Sequence, residues 1–162
     1  MHYKVNGTYK KHFELFGVNN APLGKLDYST WFSIKASIEL HAGKKYEITP
    51  ANVWQTSVHL TADGVKLASI KFNWKSQLIV SFENGATYMF KHKGIFNSHF
   101  GLFTEHDMEV VMVKPHFKLS ALSFNYTIDT DDNYPEVQDP MLLLLLVYCS
   151  NYMHNMMAGG AF

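Results

Sequence analysis

Arginine is absent from this 162-residue chain, and every basic residue is a lysine. Planar, bidentate recognition of phosphates and guanine edges is mainly arginine chemistry, and nucleic-acid binders usually carry a net positive field. Here 14 lysines meet 14 carboxylates for a formal charge of zero, so nucleic acid is not an expected partner. Cysteine is almost as scarce. Cys149 stands alone in the sequence, which excludes an intrachain disulfide or a Cys-based zinc cluster and fits a reducing compartment. Long hydrophobic runs are lacking too. Met141 to Cys149 is wholly apolar, but a membrane-spanning helix needs about 20 such residues. The first residues are interrupted by Lys4, Lys10, Lys11, His12 and Glu14, unlike a signal peptide. The expectation is a cytoplasmic protein, at most peripheral at a membrane, with no transmembrane span.

Large rings are plentiful: 12 Phe, 9 Tyr and 3 Trp, a supply that suits strands packed against a core. The length fits a single domain over residues 1–162, large enough to bury about two-thirds of its surface. Gly43, Gly64 and Gly85 recur at equal spacing, each closing a turn-like tripeptide. Asp63-Gly64 and Asn84-Gly85 are strong hairpin signals, because the tight turns between strands need positive φ. Between them the alternation is regular. Ile70, Phe72 and Trp74 point one way and Lys71, Asn73 and Lys75 the other; Leu78, Val80, Phe82, Tyr88 and Phe90 continue the apolar face. Further strands are expected at Thr8 to Phe16, Trp31 to Glu39, Lys45 to Ile48, Trp54 to Leu60, Glu109 to Lys114 and Leu122 to Ile128. Pro22, Pro50 and Pro115 are placed at element edges, where a missing N–H is harmless.

The segment from Asp129 to Pro140 is acidic and reads as a polar connection. Asp139 and Pro140 then form a helix start, a capping carboxylate followed by proline at the first helical position. The spacing predicts a helix over about 140–157, ended by Gly159-Gly160. Its first half is apolar on every side and must be enclosed. Its second half divides into an arc of Ser150, Asn151, His154 and Asn155 opposite Tyr152, Met153, Met156 and Met157. A mainly β protein, a closed antiparallel barrel of about twelve strands enclosing this helix, accounts for both features. The polar arc should then face one barrel mouth.

The segment Thr61-Ala-Asp-Gly-Val-Lys-Leu-Ala-Ser-Ile-Lys-Phe, the later strands rich in lysine and aromatics, and the terminal Asp139-Pro-Met-Leu-Leu-Leu-Leu-Leu-Val-Tyr-Cys-Ser-Asn-Tyr together resemble the tubby C-terminal-like superfamily. That group includes tubby proteins, phospholipid scramblases and LURP-one-related proteins. The resemblance implies a twelve-stranded barrel around a hydrophobic C-terminal helix. It leaves function divided among phosphoinositide binding, lipid movement associated with calcium, and undefined roles.

The leading candidate site is the wet face of the central hairpins, where Lys71, Lys75, Lys91 and Lys93 could hold anionic headgroups. The lack of arginine makes any such selectivity looser than that of a bidentate site, and solvated strand lysines that guard against edge pairing are the simpler reading. Asp129, Asp131 and Asn133 offer oxygen ligands for calcium at alternate positions, yet Tyr134 and Pro140 break the EF-hand spacing. His92, His99, His106 and His116, with Glu105 and Asp107, are ligand types without a metal-binding spacing. Cys149 and His154 lie about 140° apart around the helix, too far for a local thiolate–imidazole pair. No phosphate loop, nucleophile elbow or dinucleotide fingerprint occurs. The expectation is a binding module without catalytic residues or cofactor, its partner an anionic phospholipid or a protein. The alternative is a small-ligand carrier or enzyme using the barrel mouth near His154 and Asn151.

Overall fold

The computed structural model describes residues 1–30 and 33–158. Its hairpins are built on the expected turns. Asp63 and Gly64 both take positive φ, 50° and 77°, as the two-residue turn requires. At the Asn84-Gly85 turn glycine alone does so, with φ 94°, and the Asn84 carboxamide oxygen accepts the Ala86 N–H at 3.0 Å.

Twelve strands follow one another around a closed, wholly antiparallel barrel. They are β1 His2–Thr8, β2 His12–Phe16, β3 Pro22–Tyr28, β4 Ala36–Leu40, β5 Lys45–Pro50, β6 Ser57–Ala62, β7 Val65–Phe72, β8 Leu78–Phe82, β9 Thr87–Lys93, β10 His99–Phe103, β11 Glu109–Lys118 and β12 Ser123–Thr130. Each strand pairs with its sequence neighbour, and β1 closes the cylinder on β12 with Tyr3 opposite Ile128 and Val5 opposite Tyr126. Closure removes the sheet edges that would otherwise template association.

Helix α1, Pro140–Met157, fills the barrel. Its 18 residues make a rod about 27 Å long. The Asp139 carboxylate accepts the Met141 N–H at 2.9 Å, and Pro140 occupies the first turn. Leu143 through Val147 are completely buried. Each such aliphatic side chain removed from water stabilises the fold by roughly 1.5–3 kcal/mol, which is why an all-round apolar helix sits here. No helix among the described residues is long and apolar enough to cross a membrane.

Several elements differ from the sequence reading. The strand expected over Thr8 to Phe16 is broken by a turn, Tyr9 to Lys11, and only its second part, β2, is strand; β1 before it, β3 and β10 were not foreseen. All three contain a glycine at a close approach, and a Cβ on Gly7 of β1 would overlap the Phe124 carbonyl oxygen. A Cβ on Gly24 would stand 2.8 Å from the Glu39 carbonyl oxygen of β4 and 3.1 Å from a Leu144 methyl of α1, and one on Gly101 would stand 2.6 Å from both the Glu109 carboxylate and the Phe103 ring. Pro115 is not at an element edge. It lies inside β11 opposite Tyr126, beyond the last β10 pair at Val113, so the strand has a neighbour on one side only there. β6 starts at Ser57, leaving Trp54 in the preceding connection, and β4 starts at Ala36. Trp31 and Phe32, expected in that strand, lie outside the described residues, as do Gly159 and Gly160. Trp74 leaves the apolar face because β7 stops at Phe72. The Asn73 carboxamide oxygen accepts the N–H groups of Lys75 and Gln77, both at 3.0 Å, and bends the chain away.

Candidate functional site

In an up-and-down barrel the connections alternate between the two ends. One end holds the 17–21, 41–44, 63–64, 83–86 and 104–108 turns, together with the 131–139 segment that leads into α1. These carry Asp63, Glu83, Glu105, Asp107, Asp131, Asp132, Glu136 and Asp139 against one lysine, Lys44. The opposite end holds connections 9–11, 29–35, 51–56, 73–77, 94–98 and 119–122. None of these contains Asp or Glu, while they supply Lys10, Lys11, Lys35 and Lys75; at the adjoining strand ends Lys118 and Lys71 add to them and Asp27, near the end of β3, opposes them. A chain of zero net charge is thus polarised along the barrel axis.

Apolar exposure follows the same axis. Val53, Trp54, Trp74, Ile95, Phe96, Leu119 and Met157 are all exposed at the lysine end, Phe96 completely. Among the described residues, the large apolar side chains exposed at the acidic end are Met1, Val18, Val65 and Met108.

The second half of α1 ties these connections down. The Tyr148 hydroxyl donates to the Ile34 carbonyl at 2.8 Å in the β3–β4 connection, and the Tyr152 hydroxyl to the Gln55 carbonyl at 2.9 Å beside Trp54. Asn151 accepts from the Tyr126 hydroxyl at 2.6 Å and donates to the Tyr28 hydroxyl at 3.1 Å, joining β12 to β3. Burial raises the pKa of Tyr28, Tyr126 and Tyr148, so they remain hydrogen-bonding phenols. This corrects the polar-arc expectation: Ser150 is fully buried with its hydroxyl on the Leu146 carbonyl at 2.9 Å, and Asn151 faces tyrosines. Asn155 alone of the arc is exposed.

His154 lies against the Phe124 ring, stacked at 4.4 Å between centroids, and meets the Phe100 ring edge-on at 5.0 Å. Burial, then the nearby His92, lowers its pKa to about 4. Its Nε2 is buried and has no hydrogen-bond partner among the described residues. Beside it a cleft of about 60 Å³ is bounded by Asn151, Asn155, Ser123 and Lys10. Cys149 is completely buried, and burial pushes its thiol up, away from thiolate chemistry.

The four lysines singled out in sequence do not form one patch. Lys71 is exposed near the end of β7, and Lys75 occupies the β7–β8 turn with its ammonium 5.1 Å from the Trp74 ring. Lys91 pairs with Asp107 at 2.9 Å and Lys93 with Glu109 at 3.1 Å, both flanking the buried Phe103 ring. Their charges are met locally and their stems cover an apolar ring.

The calcium candidates are likewise engaged. Asp129 meets His2 at 2.6 Å, while Asp131 accepts from the Asn133 backbone and side-chain N–H groups at 2.9 and 2.8 Å. Glu105, His106 and Asp107 do share a turn, but Asp107 leaves it for Lys91. His99 pairs with Glu109 at 2.7 Å and His116 with Thr127 at 3.1 Å, on separate parts of the wall. No group of three or more His, Cys, Asp or Glu among the described residues could hold a metal ion.

The residues that sequence reasoning missed are the apolar tips. Ile95 and Phe96 lie between Gly94 and Asn97-Ser98, and Trp74 follows Asn73. Large apolar side chains inside turn-forming segments are the signal that could have found them.

No protein-family model matches the chain, and comparison with curated proteins finds no significant match. Among solved structures it is similar to the X-ray structure of a protein from Arabidopsis thaliana, with a TM-score of 0.52, 14% identity and 90% of each chain covered. That likeness concerns the fold, a twelve-stranded antiparallel barrel with a C-terminal helix.

Proposed function

We propose that this chain is a non-enzymatic binding module of tubby-like fold whose lysine end docks on an anionic phospholipid surface. The tubby-like assignment rests on the sequence motifs, and a barrel built around a C-terminal helix supports it. The observation that carries the functional reading is the charge segregation: exposed lysines and no carboxylate in the connections of one end, with carboxylates gathered at the other. Such a dipole orients the molecule toward a negative surface, and each lysine near it contributes about 1 kcal/mol. The effect decays within a Debye length, about 8 Å at physiological salt. Lys71 and Lys75 belong to this surface. Lys91 and Lys93 contribute less, because Asp107 and Glu109 neutralise them.

Liposome flotation tests the reading. Binding to vesicles containing phosphatidylserine should fall steeply with salt and should be lost when Lys10, Lys11, Lys35, Lys71, Lys75 and Lys118 are replaced by Gln. The pair Lys91→Gln and Lys93→Gln should leave it largely intact. Equal binding to neutral vesicles would sink the proposal.

A small-ligand carrier or enzyme is the second reading, and the unpartnered Nε2 of His154 favours it. The cleft beside it, about 60 Å³, has room for about two waters. A metabolite that raises the melting temperature of the wild type but not of His154→Phe would support this second reading.

A further inference from the structure

We infer that the apolar tips of the lysine end insert into the bilayer, so that the module is a shallowly embedded wedge and not only an electrostatic adsorbate. The inference rests on the anionic-surface reading and specifies how that surface is held.

Three observations carry it. First, the exposed large side chains stand at the tips of separate connections: Val53 and Trp54 after β5, Trp74 after β7, Ile95 and Phe96 after β9, Leu119 after β11. These connections surround the emerging end of α1, where Met157 is also exposed. Turns of a folded domain do not gain stability from large apolar side chains held in water, whereas rings at an interface between water and hydrocarbon do.

Second, the two tryptophan tips are held by their own turns. Asn52 bridges its connection through the Thr56 N–H at 3.3 Å and hydroxyl at 3.2 Å, and Tyr152 clamps the same connection at the Gln55 carbonyl. Asn73 closes the turn that carries Trp74. The backbone that presents Trp54 and Trp74 is thereby fixed before binding.

Third, the charge carried by the connections themselves has one sign and is lysine. Protein interfaces are enriched in arginine and depleted in lysine. Aromatic and aliphatic tips flanked by lysine, with no carboxylate in the same connections, match the composition of surfaces that lie in the headgroup layer.

The test uses the full chain and vesicles of phosphatidylcholine with 30% phosphatidylserine, carrying a doxyl quencher at carbon 5 of the acyl chain. Tryptophan emission should shift to the blue and be quenched on binding, and both effects should be reduced in Trp54→Phe with Trp74→Phe. The double variant Ile95→Ser, Phe96→Ser alters fully solvated side chains, so its melting temperature should match the wild type. Its partitioning should weaken by about tenfold or more. Salt-sensitive binding with no quenching, and no loss in Ile95→Ser, Phe96→Ser, would overturn insertion while leaving the electrostatic reading intact. Absence of any vesicle binding would overturn both. A concentration-dependent dimer in analytical ultracentrifugation that dissociates in Ile95→Ser, Phe96→Ser would also overturn it, in favour of a second copy of the chain as the occupant.

Discussion

The two ends of the barrel solve the same problem, reversing the chain between antiparallel strands, with different residues. At the acidic end Gly43, Gly64 and Gly85 share the positive φ positions with Asn19, Asn20, Asp63 and Asp107, residue types that tolerate the left-handed region, and a Cβ at any of the three glycines would meet nothing within 4 Å. They are glycine for the backbone alone. At the lysine end one glycine, Gly94, takes positive φ beside Tyr9, Lys10, Gln55, Ser76 and Leu122, with Leu122 at 46°. A bulky side chain in the left-handed region costs about 1–2 kcal/mol. The acidic end is economical for folding, whereas the lysine end retains large, exposed side chains at a local cost. The docking surface proposed above lies at the end that carries this local strain.

The most severe way to break this comparison is to remove the element both ends depend on. Leu144→Asp places a charge at a completely buried position with no partner, and no cooperative thermal unfolding should survive in circular dichroism. A variant that stays folded would show that the helix does not hold the barrel. Asn151→Leu should act on one end only. Leaving the Tyr28 and Tyr126 hydroxyls without their partner should cost about 1–3 kcal/mol in urea denaturation. Hydrogen exchange should quicken near Tyr28 and Tyr126 and stay unchanged in the turns around Gly64 and Gly85.

Two smaller substitutions sharpen the contrast between the turns. Gly85→Ala, at φ 94°, should lower stability by about 1 kcal/mol, and Leu122→Gly should raise it by up to about 1 kcal/mol. Opposite shifts in melting temperature would show that the strain sits at the lysine end; shifts of the same sign would refute it. The gentlest probe is pH. His154 has a folded pKa of about 4 against about 6.5 unfolded, so the unfolded chain binds more protons between those values. Stability should therefore decline as pH falls from 6.5 toward 4, and His154→Phe should flatten that slope. His12 acts in the opposite sense. Burial works to lower its pKa, but hydrogen bonds and charge from Asp27 and Glu14 raise it overall. Its contribution is complete below about 6.5 and is lost as pH rises through the folded value.

Local chemistry was readable without the structure wherever the cause lay within a few residues. Asp139 and Pro140 announced the helix start, the hairpin glycines announced their turns, and the unbroken leucines announced enclosure. Reading failed where the cause lay far along the chain. β1, β3 and β10 carry glycines that make poor strand formers until the Phe124 and Glu39 carbonyls, Leu144 and Phe103 are seen resting on them. Lys91 and Lys93 looked free because Asp107 and Glu109 reach them across another strand. Trp74 looked like core because alternation continued past the point where Asn73 ends β7.

Sequence alone determined that this protein has no arginine-based recognition, no intrachain disulfide, and a helix that must be surrounded, since composition and short-range periodicity are properties of the chain itself. Tertiary structure decided which lysines are neutralised, where the aromatics emerge, and that acid and base separate to opposite ends. Those depend on strand register and on the alternation of connections between two ends, which bring together residues that share a place in space but no neighbourhood in sequence.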